Sequence, residues 1–480
     1  MRRRKTEDGG QIAADRRSLF GDLRSMVNGH TPPPGLHHYL REAPGERTRV
    51  HLRVDPDGHG TLMINANQVV HLNPSATLMA FLFLEETPNE QAIRMIQRNY
   101  KISSAEAQRD YAHFVSEFEV IVQPGGCLAC SLDELEIAMP FSTRPLAPYR
   151  MDLALTYRCN DDCAHCYNAR PRDFPEMSTA DWKRVIDRTW ELGIPHIVFT
   201  GGEPSLRDDL PDLIAHAEAN GQITGMNTNA RRLSDPDFVA ALTRAGLDHI
   251  QITIESHNES IHDQMVRKTG AWRQTIAGLK NVLASPFFVM TNTTMLQANY
   301  AGIGETLDFL ADLGVPTIGL NALIYAGRGL DVGTGLHENE LHPLLETAIQ
   351  KTQARGQRLI WYTPTQYCHF DPMQYDLGVK GCTAALYNMC VEPDGGVLPC
   401  QSYYHPLGNI LHDTWDSIWN HELATGIRER SYAPEACHNC ILLPECGAGC
   451  PLSLDANQSA LIPFDSIAAL TENLEQLTVL

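Results

Sequence analysis

Between residues 152 and 323, short apolar segments alternate with amphipathic helical ones, a rhythm that few folds can use. Strands are expected at 152–156, 196–200, 223–227, 249–254, 288–295 and 317–323, with helices at 178–192, 208–220, 235–245, 272–284 and 303–313. Parallel strands need a long crossover between them, and a helix supplies it. Six strands in this rhythm predict an α/β fold, either an incomplete (β/α)6 barrel or an open parallel sheet. In either, the chemistry sits in loops at the C-terminal ends of the strands.

The flanking regions read differently. HLRV, TLMIN and VVHL, with the Pro56-Asp57-Gly58 turn between the first two, predict a small sheet. Helices are expected after it at 75–84, behind Asn73-Pro74, then at 89–99 and at 104–118, where Ser103 and Glu106 have capping-box spacing. Strands followed by three short helices suggest a winged-helix-like module at 45–122. Residues 1–44, polar and ending near a Pro-Pro-Pro-Gly run, are expected to be a mobile arm and linker. A proline-rich connector at 123–148 contains Cys127 and Cys130. Residues 149–330 form the predicted barrel, 331–365 a linking region, 366–456 a loop-rich C-terminal domain and 457–480 a tail.

Composition excludes several classes. A net charge of −20, from 38 Lys+Arg against 58 Asp+Glu, disfavours a protein that tracks a phosphate backbone, so no nucleic-acid partner is expected. No run approaches the roughly 18 apolar residues of a membrane span, and the basic start lacks the apolar core of a signal peptide. A cytoplasmic protein without a membrane partner is expected. The 13 cysteines fall in tight groups, which points to metal rather than to a disulfide framework.

The first group, Cys159-x3-Cys163-x2-Cys166, directly follows the first predicted barrel strand. Three thiolates leave one position short of the four used by structural zinc or by a cubane cluster. Either the site stays open, or His165 completes a zinc knuckle. The second strand ends in Gly201-Gly202-Glu203-Pro204. Together the triplet and this segment resemble the signature of the radical S-adenosylmethionine (SAM) superfamily.

That resemblance implies a four-iron, four-sulfur cluster on Cys159, Cys163 and Cys166, with SAM chelating its unique iron. Reductive cleavage of SAM would give methionine and a 5′-deoxyadenosyl radical, which abstracts a substrate hydrogen. His165, Gly201, Gly202, Glu203 and Pro204 occupy cofactor-binding positions in this comparison, as do Asn227, Thr253, Glu255 and Arg328 at later strand ends. The glycines are expected to let the backbone approach the methionine part of SAM.

Farther on, Cys382, Cys390, Cys400, Cys437, Cys440, Cys446 and Cys450 resemble the SPASM extension, which carries auxiliary clusters. In that family pattern Cys382, Cys400 and Cys450 hold one four-iron cluster, with Cys390 as candidate fourth ligand. Cys437, Cys440 and Cys446 hold the second. The family's final downstream cysteine is missing here, and Asp455 is the candidate substitute. Cys368 is expected to be buried as a small hydrophobe, and Cys127 and Cys130 have no assignment.

The first module resembles the peptide-binding chaperone of pyrroloquinoline quinone biosynthesis, a RiPP recognition element. The implied activity is hydrogen abstraction from a ribosomally made precursor peptide, whose leader adds a strand to an exposed sheet edge. The implied electron donor is a flavodoxin or ferredoxin. A folded protein side chain or a tetrapyrrole is the alternative substrate, and a zinc-bound, non-catalytic peptide adaptor is the alternative of another class.

Overall fold

The computed structural model describes residues 31–43, 46–65, 68–122 and 144–456. Two compact units divide the chain, Met1–Ile137 and Ala138–Leu480. The division falls within the expected connector, whose Cys127 and Cys130 lie outside the described residues.

In the first unit, β1 (Gly35–Ala43), β2 (Glu46–Val54), β3 (Gly60–Ile64) and β4 (Gln68–Leu72) form an antiparallel sheet in that order. Helices α1 (Pro74–Leu84), α2 (Asn89–Tyr100) and α3 (Ser104–Val122) follow. The Asn73 side chain accepts the Ala76 N–H, and Pro74 occupies the first turn, where its missing N–H costs nothing. Val50, Leu52, Leu62 and Ile64 pack with Phe81 and Phe118 in one core. Strand β1 corrects the expectation of a linker reaching to residue 44: Gly35–Ala43 pairs with β2 along its whole length. GLHHYLREA has little apolar alternation, so its partner strand decides its conformation.

The second unit is built on a ten-stranded sheet. Its parallel strands are β5 (Arg150–Thr156), β6 (His196–Gly201), β7 (Ile223–Thr228), β8 (His249–Thr253), β9 (Phe288–Thr294), β10 (Thr317–Asn321) and β11 (Arg358–Trp361). The intervening helices are α4 (Thr179–Glu191), α5 (Leu210–Asn220), α6 (Pro236–Ala245), α7 (Glu259–Val266), α8 (Ala271–Leu283), α9 (Ile303–Asp312) and α10 (Leu341–Ala354). Ser178 and Asp235 cap α4 and α6 through their side chains, and Gly221 and Gly246 end α5 and α6 in the left-handed conformation. This is a partial barrel of six β/α units with a seventh parallel strand at its edge.

Two expected boundaries shift. The helix of the sixth β/α unit, α10, and strand β11 lie within residues 331–365, which were expected only to link domains. Strands β12 (Asn388–Val391), β13 (Gly396–Leu398) and β14 (Gly408–Asn409) extend the same sheet, β12 pairing in parallel with β5. The C-terminal region therefore shares backbone hydrogen bonds with the barrel. Met151, Leu153, Ile197 and Phe199 pack toward Trp182 and the helices. By strand alternation and register, Asp152, Asn227, Gln251, Thr253 and Asn292 occupy the other face. Among the described residues, no helix is long and apolar enough to cross a membrane.

Candidate active site and cluster centres

The loop that leaves β5 carries Cys159, Cys163 and Cys166, and the ends of several later strands fasten it. After β6, the Gly202 N–H donates to the Thr156 carbonyl at 2.7 Å and the Glu203 N–H to the Arg158 carbonyl at 2.9 Å. After β7, Asn229 Nδ2 donates to Asn160 Oδ1 at 2.6 Å, and the Arg231 guanidinium donates to Asp161 at 2.7 Å and to the Asn160 carbonyl. From α7, the Val266 and Met265 carbonyls accept from the Asp162 and Ala164 N–H groups at 3.0 and 2.9 Å. After β10, the Arg328 N–H donates to the Cys166 carbonyl at 3.0 Å. The cysteine loop is thus held from at least four directions.

The Gly-Gly pair has a clear packing reason. A Cβ on Gly201, whose φ is +135°, would lie 2.1 Å from the Thr156 carbonyl oxygen. One on Gly202 would lie 2.4 Å from that of Arg158. Both glycines let the β6 end close against the backbone leading to Cys159. Glu203, 1% exposed, accepts from the Ser205 N–H at 3.0 Å, the Thr228 hydroxyl at 2.7 Å and the Asn229 N–H at 2.8 Å. Burial raises its pKa against those hydrogen bonds. Its two oxygens clamp the ends of β6 and β7, and Pro204 is buried in the short 3-10 turn that Glu203 caps.

His165 and Glu255 form a buried pair, Nε2 to Oε1 at 3.0 Å. The other Glu255 oxygen accepts the Thr294 N–H at 3.0 Å. Glu255 therefore orients His165, while His165 Nδ1 is buried without a hydrogen-bond partner. That nitrogen is available to a bound group. Arg328 pairs with Asp162, with its Nε buried and unpartnered. Asn227 and Thr253 are half-buried on the sheet face turned from the helices. Sequence reasoning missed Asp161, Arg231 and Asp162, because a carboxylate or guanidinium that braces a loop has no spacing signature.

Cys159 is exposed at the surface, yet desolvation by the surrounding loop raises its thiol to about 12, although its sulfur accepts the Asp161 N–H at 3.4 Å; Glu203, Asp161 and Cys166 add to the rise. Cys163 is raised by burial and then by Cys166, Glu255, Asp161 and Cys159. Three such thiolates repel one another unless positive charge joins them, as iron does. The soft donor set fits a cubane that leaves one iron for another ligand. Among the described residues, no three His, Cys, Asp or Glu side chains converge closely enough for a single metal ion. A cubane makes a different demand, because each thiolate binds a separate iron.

In the C-terminal region, burial raises Cys382, and Cys450 and Cys400 raise it further. Cys400 is pushed up to about 12 by burial, with Cys450 adding to the rise. Cys382, Cys400 and Cys450 thus lie within electrostatic reach of one another. Cys390 is fully buried on β12, and the thiol that raises it is Cys400, after burial, Asp152 and Glu392. Burial raises Cys437, followed by Cys368 and Cys440. Cys446 reaches about 11 through burial, with Cys368 and Cys437 adding to it. Cys368 corrects an expectation: it is exposed rather than buried. Asp455 lies in the helix Pro451–Ala456, and its side chain is outside the described residues.

A further cluster joins the first cysteine loop to the C-terminal strands. Glu392, 2% exposed, accepts from Tyr157 at 3.0 Å and Arg170 at 2.7 Å. The Arg172 guanidinium lies 3.2 Å from the Tyr157 ring centroid, and that of Arg170 lies 3.8 Å from the Tyr404 centroid.

Comparison with known proteins agrees with this geometry. Residues 153–320 match the family described as the Radical SAM superfamily, and residues 382–441 match the iron–sulfur cluster-binding domain SPASM. The mycofactocin maturase MftC of Mycobacterium ulcerans is 30% identical over 324 residues, covering 63% of this chain and 83% of that protein. The PqqA peptide cyclase of Gluconobacter oxydans is 28% identical over 346 residues, covering 70% of this chain and 95% of the cyclase. Among solved structures, Streptococcus suis SuiB bound to precursor peptide SuiA aligns with a TM-score of 0.63 at 16% identity. That alignment covers 87% of this chain and 97% of SuiB.

Proposed function

Because this chain belongs to the radical SAM superfamily and carries a SPASM iron–sulfur domain, we propose that it cleaves SAM reductively and modifies a ribosomally made precursor peptide by hydrogen abstraction. The observation that carries the reading is the cysteine triplet braced by the ends of β6, β7 and β10 and by α7. When bound, the four-iron cluster supplies the electron that splits SAM into methionine and a 5′-deoxyadenosyl radical. Cys159, Cys163 and Cys166 would hold that cluster. His165, fixed by Glu255, has its Nδ1 available to a bound group, and Asn227, Thr253 and Arg328 border the same strand ends. Glu203 and the two glycines set the position of the loop that carries the cysteines.

Peptide as substrate is supported by relatives that include a peptide cyclase and by a structural neighbour solved with its precursor peptide. The first unit is the reader of the leader. Its sheet has β1 and β4 as edge strands, and an edge strand has backbone groups to which an extended peptide can add. A flavodoxin or ferredoxin would deliver the electron, and the cytoplasm is the compartment that suits such clusters.

Replacing Cys159, Cys163 and Cys166 together with Ala tests the assignment. Formation of 5′-deoxyadenosine under dithionite is expected to vanish while iron in the C-terminal region remains. Product formation at the wild-type rate would contradict it.

A further inference from the structure

The resemblance to SPASM domains assigns the second auxiliary cluster only Cys437, Cys440 and Cys446, and none of residues 451–480 is a cysteine. The missing ligand can come from upstream. Residues 365–370 form a closed turn: Thr365 Oγ1 donates to the Phe370 carbonyl at 3.0 Å, and the His369 and Phe370 N–H groups donate to the Gln366 carbonyl at 2.8 and 2.9 Å. The Glu338 carboxylate accepts the Gln366 N–H and pairs with His369 Nδ1, both at 3.1 Å. This turn is fastened to the cysteine quartet. The Tyr367 N–H donates to Cys446 Sγ at 3.3 Å, and that sulfur lies 3.7 Å from the Thr365 carbonyl oxygen. A Cβ on Gly449 would lie 3.2 Å from the Gln366 nitrogen, so the two segments are in backbone contact.

Cys368 sits within this turn with its side chain exposed. Its neighbour Tyr367 reaches the Cys446 sulfur through its N–H, which places the Cys368 backbone beside the quartet. A cysteine used as core filler would be buried. This one is presented by a pinned turn in which the preceding N–H, that of Tyr367, already bonds a ligand sulfur.

We propose that Cys368 is the fourth thiolate of the second auxiliary cluster, completing a Cys368, Cys437, Cys440 and Cys446 set in place of a cysteine downstream of the quartet. The assignment rests on the reading of the C-terminal region as cluster-binding and does not depend on the substrate. It replaces Asp455, a hard oxygen donor, with a soft donor suited to iron–sulfur chemistry. The Tyr367 N–H to Cys446 links two of the four ligands, so turn and quartet are positioned together. Hydrogen bonds to cluster sulfurs are also a determinant of potential.

The full-length chain and its Cys368→Ala, Cys368→Ser and Asp455→Ala variants, reconstituted anaerobically, provide the test. With three cubanes in the wild type, Cys368→Ala is expected to lose about a third of the bound iron, or to retain a three-iron cluster detected by EPR after oxidation. Cys368→Ser should alter the EPR spectrum of one cluster, and Asp455→Ala should match the wild type. Should Cys368→Ala fail to fold, thiol alkylation of the wild type mapped by peptide decides. Cys368 should be protected in the loaded protein and labelled after chelation. Full iron with an unchanged spectrum in folded Cys368→Ala, or labelling of Cys368 in the loaded wild type, would overturn the proposal. A C-terminal region without cubanes would instead show in the wild type itself, as about four irons or fewer.

Discussion

Glu203 illustrates how a motif residue can act through packing. Its carboxylate is shared among the Ser205 N–H, the Thr228 hydroxyl and the Asn229 N–H. Removing it strands those buried donors, so Glu203→Ala should lower stability by about 2–4 kcal/mol and reduce SAM cleavage with it. Glu203→Gln should lose less stability. Thermal melting and the KM for SAM, measured together, separate clamp from contact: an unchanged melting temperature with a raised KM would show that Glu203 binds SAM directly. The position of this residue was legible in the sequence because GGEP ends a strand after the triplet, yet its partners Thr228 and Asn229 were not, since they arise from the next strand. The glycines were legible for a similar reason, but the close approach they permit in the structure is to Thr156 and Arg158. Cys368 was misread because packing statistics for a free cysteine carry no information about a turn pinned by Glu338.

Among the strands, β6, β7 and β8 show how the sheet tolerates a polar interior. Gly225 leaves room for the His249 ring, to which a Cβ would approach within 2.1 Å, and His249 Nε2 meets His196 Nε2 at 2.8 Å. Burial, with Arg150 adding to it, lowers His249 from 6.5 to about 4. Below the unfolded value the unfolded chain binds a proton that the folded chain refuses. This contribution to stability is therefore complete above about 6.5 and lost as pH falls toward 4. Denaturant unfolding followed at several pH values in this window should give a shallower acid decline for His249→Ala than for the wild type; parallel curves would contradict the account. Gly225→Ala should cost about 1–3 kcal/mol, and less in the His249→Ala background where the ring is gone. The six strands β5 to β10 were readable because each is a compact apolar run. Strand β1 was not, since GLHHYLREA lacks alternation, and β11 with α10 was hidden behind the loop-rich stretch after β10. The shared sheet of barrel and C-terminal region was also beyond sequence, because β12 pairs with a strand more than two hundred residues earlier.

The whole molecule divides into two compact units, 1–137 and 138–480. Strand β1 extends the first unit toward the N-terminus, so a deletion that tests recognition has to begin before Gly35. A chain lacking residues 31–122 is expected to retain 5′-deoxyadenosine formation under dithionite and to lose modification of leader-bearing peptides. Unchanged modification would remove the first unit from substrate recognition. The central claim is that a radical generated beside Cys159, Cys163 and Cys166 takes hydrogen from a peptide. Its most direct test uses candidate precursor peptides from neighbouring short reading frames, prepared fully deuterated at carbon and incubated with the reconstituted enzyme, SAM and dithionite. Mass spectrometry of the nucleoside product should show deuterium in 5′-deoxyadenosine, in step with mass loss from the peptide. Peptide modification with 5′-deoxyadenosine free of deuterium would contradict the account.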